Sequence, residues 1–309
     1  MPKSGAAAPS TPQQGNSPAR NLCCVGLPRR KQGLAALLPM YVFTLAFVIG
    51  PLLYMVALSF MRKQGGWGIE AVFNLRNYAR ILEPVYLATF IQSIRLAFIS
   101  TIAVLIIGYP FGYFMAKLEP RWRGIVMLLL IIPFWTNALL RLYGWIIFFR
   151  ANGIFDAILM NLHITSRPLR LLYTYPAVVT GMIYGLLPFM IYSVFASAEK
   201  LDWSLLDAAR VMGANRAQAF FSISLPLTMP GIFSGIILTF IPSMGLYFIA
   251  DILGGNKVIL VGNLIRDQLL NVHDWPFAAA LSVVLMALTT VFLYLYRRLT
   301  RSGELEGLI

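Results

Sequence analysis

Charge is missing from six stretches of this chain and gathers between them. The uncharged runs are Gln32–Met61, Leu96–Ala116, Gly124–Leu140, Leu171–Ala198, Ala217–Ala250 and Trp275–Tyr296. The first has its apolar core at about Leu34–Phe60. The third ends at Arg141, after which apolar residues resume as far as Phe149. About 20 apolar residues in a row suffice for a helix to cross a bilayer, so the pattern predicts six transmembrane helices. Leu34–Phe60 is too long for the apolar core of a signal peptide and no small-x-small cleavage site follows it, so it is read as a retained first span. Pro39, Pro51, Pro110, Pro133, Pro188 and Pro242 fall inside apolar runs. Neighbouring helices can satisfy the carbonyls such prolines free, so a packed bundle accommodates them better than isolated anchors do.

Composition agrees with this reading. Apolar residues make up 59% of the 309 positions and charged residues only 12%, and the mean hydropathy is +0.73. A soluble globule of this size could not cover so much apolar surface with so few charges. The fold class expected is therefore all-α, a polytopic membrane helix bundle. Residues 1–30, rich in Pro, Ser, Ala, Gln and Gly, read as a disordered basic tail. Residues 31–309 read as the six-helix domain. Cys23 and Cys24 are adjacent, which suits neither a disulfide scaffold nor a zinc site. Trp67, Trp122, Trp145 and Trp275 fall near predicted interfaces and read as aromatic-belt anchors.

Lys and Arg set the orientation. With the N-terminus cytoplasmic, the inner segments carry 14 basic residues against 9 in the outer loops. Lys117, Arg121 and Arg123 crowd one short inner loop. Six spans then leave both termini cytoplasmic, with Arg95 and Arg141 near outer helix ends, where long side chains snorkel. This bias accounts for much of the formal charge of +13. The basic residues are dispersed at helix ends, so nucleic-acid binding is not expected. No internal repeat is evident, whereas many ion-coupled carriers consist of two matching halves.

The inner segment 199–226 is the one long patterned loop. Ser204-Leu205-Leu206-Asp207 has the form of a capping box, with Ser204 accepting the Asp207 amide and Asp207 reaching back. Ala208, Ala209, Val211 and Met212 continue a helix with a small apolar face. Gly213 interrupts it, Arg216 to Phe221 resume it, and Leu225-Pro226 close the unit. By pattern alone this could be an amphipathic helix lying on the membrane surface. Asp207-Ala208-Ala209, three residues, Gly213, nine residues, then Ile223-x-Leu225-Pro226 resembles the EAA loop of ABC-importer inner-membrane permeases. Asp207 replaces the usual Glu and keeps its charge. Tyr109-Pro110-Phe111, Ile132 to Asn137, Leu187 to Met190, Leu225 to Gly231, Leu253-Gly254-Gly255 and Asp274-Trp275-Pro276 resemble the spermidine/putrescine branch of that family.

The resemblance implies a type I ABC importer permease (MetI-like) architecture in a bacterial inner membrane. It implies that Ser204, Asp207, Ala208, Ala209, Gly213, Ile223, Leu225 and Pro226 form a coupling loop seated on a cytoplasmic ATPase. Ala208 and Ala209 would allow close helix-to-partner approach. The implied partners are a second homologous permease in a heterodimer, two ATPase copies, an extracytoplasmic polyamine-binding protein and membrane lipid. This chain has no Gly-x4-Gly-Lys-Ser/Thr, and Gly254-Gly255-Asn256-Lys257 has the wrong spacing. ATP and Mg would therefore belong to the ATPase, and no cofactor or metal is expected on this chain.

None of the twelve acids lies inside an uncharged run. A polyamine needs carboxylates or aromatic faces to offset lost hydration. Asp251, just past the fifth run, could pair an ammonium while Tyr247 offers a ring. It could equally be an ordinary interfacial acid. Trp135 and Asn137, with Thr136 between them, could line a polar, aromatic pathway or form a packing patch in which Asn137 bonds a neighbouring helix. A stand-alone channel or carrier and a membrane-embedded enzyme using His163, His273 or Asp251 are the other classes. No catalytic motif supports the enzyme.

Overall fold

The computed structural model describes residues 39–66, 68–165 and 167–306. The tail 1–30, Cys23, Cys24 and Trp67 lie outside the described residues. Six helices are long and apolar enough to span a membrane: Pro39–Ser59, Pro84–Lys117, Ala138–Asn161, Tyr175–Ala198, Arg216–Gly245 and Trp275–Arg298. The chain divides at Leu52 into two units. The described part of the first is the apolar opening of helix α1 (Pro39–Ser59), which contains a π-turn at Leu45–Ile49.

The second unit carries everything from Leu53 onward. A short ribbon of β1 (Arg62–Lys63) and β2 (Ile69–Glu70) pairs antiparallel, with Arg62 opposite Glu70 and Lys63 opposite Ile69. Helices α2 (Arg76–Ile81), α3 (Pro84–Lys117), α4 (Pro120–Ile131), α5 (Ala138–Phe149), α6 (Ile154–Asn161) and α7 (Tyr175–Ala198) follow. Next come α8 (Ser204–Val211), α9 (Arg216–Ala219), α10 (Leu225–Gly245), α11 (Tyr247–Gly254), α12 (Val261–Leu270) and α13 (Trp275–Glu306). Proline opens α3 and α4 and takes the second position of α7, where its missing N–H costs no intrahelical bond.

Helices α3, α7 and α10 pack together as the heart of this unit. Lipid offers no hydrophobic drive between helices, so close backbone approach must supply the attraction. Two Gly-x3-Gly pairs provide it, one on each side of α7. A Cβ on Gly108 would come within 2.8 Å of Met190, and one on Gly112 within 2.8 Å of the Ile191 carbonyl. On α10, a Cβ on Gly231 would stand 2.6 Å from the Ser193 carbonyl, and Gly235 meets Met190. Pro110, Pro188, Pro230 and Pro242 all lie inside these three helices, as the bundle reading expects.

The third apolar run departs from the expected Gly124–Leu140 helix. It holds α4, a 3-10 turn at Ile132–Trp135, an extended link at Thr136 and Asn137, and then α5. Pro133 cannot continue the α pattern, and Asn137 accepts the Leu139 amide at 2.8 Å to start α5 afresh. The spanning helix accordingly begins at Ala138 and runs through α6.

On the opposite side from the α8 loop, Arg80 pairs with Asp274 at 2.9 Å and lies 4.0 Å over the Phe277 ring. Asp274 also accepts the Phe277 amide at the start of α13. One ion pair thereby fastens α2 to the last span.

Candidate functional site

Segment 199–224 joins α7 to α10 as two short helices around a tight turn. Helix α8 does not begin with the expected capping box. Ser204 is its first residue rather than its cap, and no side chain caps it from Trp203. Asp202 instead accepts the Ser204 amide at 3.0 Å. Hydrogen bonds from the Ser204 hydroxyl and amide hold the Asp202 carboxyl below the usual carboxylate range. The reciprocal box lies one helix later: Asn215 accepts the Gln218 amide at 2.8 Å and Gln218 accepts the Asn215 amide at 3.0 Å.

Gly213 sits at φ +93°. Its N–H bonds the Arg210 carbonyl at 3.0 Å, and the Ala214 N–H reaches back to Ala209 at 3.0 Å. This paired closure needs a left-handed residue just past the helix end, and glycine has no Cβ to oppose it. Nothing lies within 4 Å of where a Cβ would be, so backbone conformation alone demands the glycine.

The two alanines face different ways. Ala208 is exposed, whereas Ala209 is only 5% exposed and packs within the chain. Leu206 is buried with it. The outward face of α8 is apolar at its end, with Val211 88% and Met212 82% exposed, and Leu205 exposed beside Ala208. Asp207 is exposed and pairs with Arg210 at 3.3 Å.

Beyond α9 the helix does not stop at Leu225-Pro226, as the sequence suggested. It continues through a π-turn at Phe220–Ser224, closed by the Leu225 N–H on the Phe220 carbonyl. The extra residue falls just before Pro226, which has no N–H to give. Ile223 is half-buried within the turn.

The end of α3 grips both flanks of this segment. The Tyr113 hydroxyl donates to Ser224 at 2.9 Å, and its ring meets Trp203 at 5.6 Å and Phe220 at 5.5 Å. Tyr109 and Thr228 hydroxyls are bonded at 3.1 Å. Arg123 donates to Glu199 at 2.7 Å and to the Ala116 carbonyl at 3.0 Å, tying the α3–α4 turn to the start of the segment. Segment 199–224 is therefore held by side chains of α3 as well as by its covalent continuation into α10.

The four candidate pathway residues fall at two places. Trp135 and Asn137 belong to the break between α4 and α5. Trp135 is 77% exposed, and among the described residues Asn137 caps its own helix rather than making the bond to a neighbouring helix that a packing patch would have. Arg141 has partners within the chain. It donates back to the Pro133 carbonyl at 2.6 Å and lies 4.3 Å over the Phe134 ring. Sequence reasoning missed this role, although an arginine one helical turn after a cap, with a proline carbonyl eight residues back, was a usable signal. Beside the break, Arg141, Phe134, Tyr184, Phe189 and Phe248 wall a cavity of about 260 Å³.

Tyr247 and Asp251 lie together on α11, but Asp251 is engaged. Arg266 of α12 pairs with Asp251 and with Asp267, the latter at 3.0 Å. Its guanidinium is 5.7 Å from the Tyr247 ring centre. Bonds first to Asp251 and then to Asp267 raise the Arg266 pKa above its ordinary value. Asp251 and Tyr247 thus already have a cationic partner within the chain. No spacing rule links positions 251 and 266, so only the packing of α11 on α12 reveals it.

His163 and His273 each follow the end of a helix at positive φ. Among the described residues, no group of His, Cys, Asp and Glu could hold a metal ion.

Residues 108–302 match the family described as binding-protein-dependent transport system inner membrane component. The chain is 43% identical over 255 residues to the spermidine/putrescine transport system permease protein PotB of Escherichia coli K12, covering 82% of this chain and 93% of that one. It is 42% identical over 264 residues to the Haemophilus influenzae protein of the same description, covering 84% and 92%. Identity to the trehalose/maltose transport system permease protein MalF of Thermococcus litoralis is 25% over 283 residues. A chain of a solved bacterial alginate ABC transporter superposes with a TM-score of 0.73 over 89% of this chain and 95% of that one, at 15% identity. At that identity the likeness concerns the fold.

Proposed function

Because the chain belongs to the binding-protein-dependent transport system inner membrane components, we propose that it is the permease subunit of an ATP-driven polyamine importer. It forms half of a translocation pathway for spermidine or putrescine. The other half is a second, related permease. Two copies of a cytoplasmic ATPase, which bind ATP and Mg, drive the pair, and an extracytoplasmic binding protein delivers the cargo. The chain itself carries no cofactor and binds no nucleic acid. Both termini lie on the cytoplasmic side, together with α8 and α9.

The cargo assignment is supported by 43% identity, over most of both chains, to permeases described for spermidine and putrescine. One observation carries the coupling role: the α8–Gly213–α9 unit presents Leu205, Ala208, Val211 and Met212 outward while Tyr113, Trp203 and Phe220 fasten it to the spans. Exposed apolar side chains on a polar loop suit a partner surface. ATPase closure that moves this unit would carry α3 and α10 with it and alternate the access of the pathway. Asp251 and Tyr247 would receive an ammonium at the outer side once Arg266 gives way. Trp135, Asn137 and the aromatic cavity beside them would line the next stage.

Reconstitution tests the proposal. Vesicles holding both permeases, the ATPase and the binding protein should concentrate labelled spermidine only with ATP, and vesicles holding this chain alone should not. Accumulation by this chain alone, without nucleotide, would overturn it.

A further inference from the structure

A cavity of about 450 Å³ opens where α3 ends against α8 and α9. Lys117, Arg210 and Arg216 line it, with Tyr113, Phe114 and Phe220 among its aromatic walls, and among the described residues no acidic side chain contributes to the lining. Lys117 and Arg216 face no carboxylate within 4 Å among the described residues. Lys117 is instead spread over rings, at 4.5 Å from Tyr113, 5.2 Å from Trp203 and 5.8 Å from Phe114. Among the described residues Arg210 pairs with Asp207 alone, an exposed pair that screening weakens. Three cations around one hollow repel one another, and an anion seated among them would relieve that repulsion.

Depth narrows the choice of anion. Lys117 is the first charge after the uncharged run Leu96–Ala116, so the cavity lies at the boundary between apolar and polar surface. Leading up to it, Ile107, Phe111 and Phe114 are exposed at positions i, i+4 and i+7, one face of α3. These side chains form an apolar stripe that leads to the cluster of cations. Basic hollows between spans at this depth meet lipid phosphates where those phosphates already lie.

We propose that Lys117, Arg210 and Arg216 bind the headgroup phosphate of an anionic phospholipid, whose acyl chain follows Ile107, Phe111 and Phe114. The site rests on membrane insertion of α3 and on the importer assembly, and is independent of the cargo. A bound lipid would fill the hollow between α3 and the coupling unit, and so set how firmly the two move together.

The test is lipid retention by the whole importer, extracted with its native lipid in polymer-bounded discs. Mass spectrometry should find phosphatidylglycerol or cardiolipin enriched over the bulk membrane. Lys117→Gln and Arg216→Gln should each cut that enrichment about fivefold. Arg62→Gln, a charge change on β1, should leave it unchanged. Undiminished enrichment in the double variant overturns the proposal. So does loss of the ATPase subunit with lipid retained, since the cations then face protein. A second measurement needs no variant: the wild-type importer should unfold at higher temperature in vesicles containing phosphatidylglycerol than in phosphatidylcholine alone. An equal gain from inorganic phosphate, or no gain, would also overturn the lipid site. Neither readout uses spermidine, so a wrong cargo assignment would leave these results standing.

Discussion

At the residue scale, Arg266 decides what Asp251 can do. It occupies the carboxylate that a cargo ammonium would need, and it brings Asp267 and Tyr247 to the same place. If Asp251 receives cargo, the two substitutions act in opposite directions. Asp251→Asn should raise the apparent KM for spermidine and Arg266→Gln should lower it, each by roughly two- to fivefold, the scale of a partly exposed ion pair. If the pair is only structural, both variants should lose folded protein alike, which a thermal melt reads directly. Asp202 gives a prediction in pH. Its carboxyl is held below the ordinary range in the folded chain, so the support it gives α8 is complete at neutral pH. That support fades as pH falls through the depressed folded value. The protection factors for hydrogen exchange in the first turn of α8, corrected for the intrinsic rate at each pH, should fall in that acidic window. Exchange in α9, capped by the neutral Asn215, should lack this dependence, and Asp202→Asn should remove it from α8.

At the scale of elements, α8 has two faces whose roles separate by substitution. Ala208→Phe adds bulk to the outward face and should leave the fold intact while abolishing coupled uptake in reconstituted vesicles. Ala209→Phe adds the same bulk to a packed position and should cost about 1–3 kcal/mol or more in stability. Equal uptake by Ala208→Phe and the native chain would remove that face from the contact with the ATPase. Gly213→Ala should destabilise the turn by about 1 kcal/mol or more with no steric clash, because its cost is purely in φ. Gly213→Asn, which tolerates the left-handed region, should lose less in the same thermal assay. The break between α4 and α5 follows similar local rules, with proline stopping one helix and Asn137 starting the next.

At the scale of the whole molecule, α7 is gripped from both sides by glycine pairs. Gly112→Val and Gly231→Val would press a side chain on carbonyls of α7, which cannot swing away as a side chain could. Each should cost at least about 1–3 kcal/mol and lower the yield of folded protein after extraction. Gly144→Val, where nothing lies within 4 Å of the added Cβ, should be close to neutral. If Gly112→Val and Gly231→Val matched Gly144→Val in thermal stability, close approach of α3 and α10 to α7 would not be what holds the bundle. The helices it joins include those that segment 199–224 touches through Tyr113 and Ser224, so in the proposed importer this grip would carry the motion of that segment.

The number of spans, the bundle class and the family were legible in the chain because each rests on local chemistry. Uncharged runs are a property of consecutive residues, and the loop pattern from Asp207 to Pro226 is a fixed spacing along one segment. Even Gly213 could be flagged, since a glycine closing a short helix is a backbone requirement. The sequence alone could not say which of Ala208 and Ala209 faces outward. Nor could it show that Arg266 already fills the place beside Asp251. Those outcomes depend on which groups lie nearest once helices have packed. A carboxylate or guanidinium at the edge of a membrane span takes the nearest strong partner, and that distance is set by the tertiary structure.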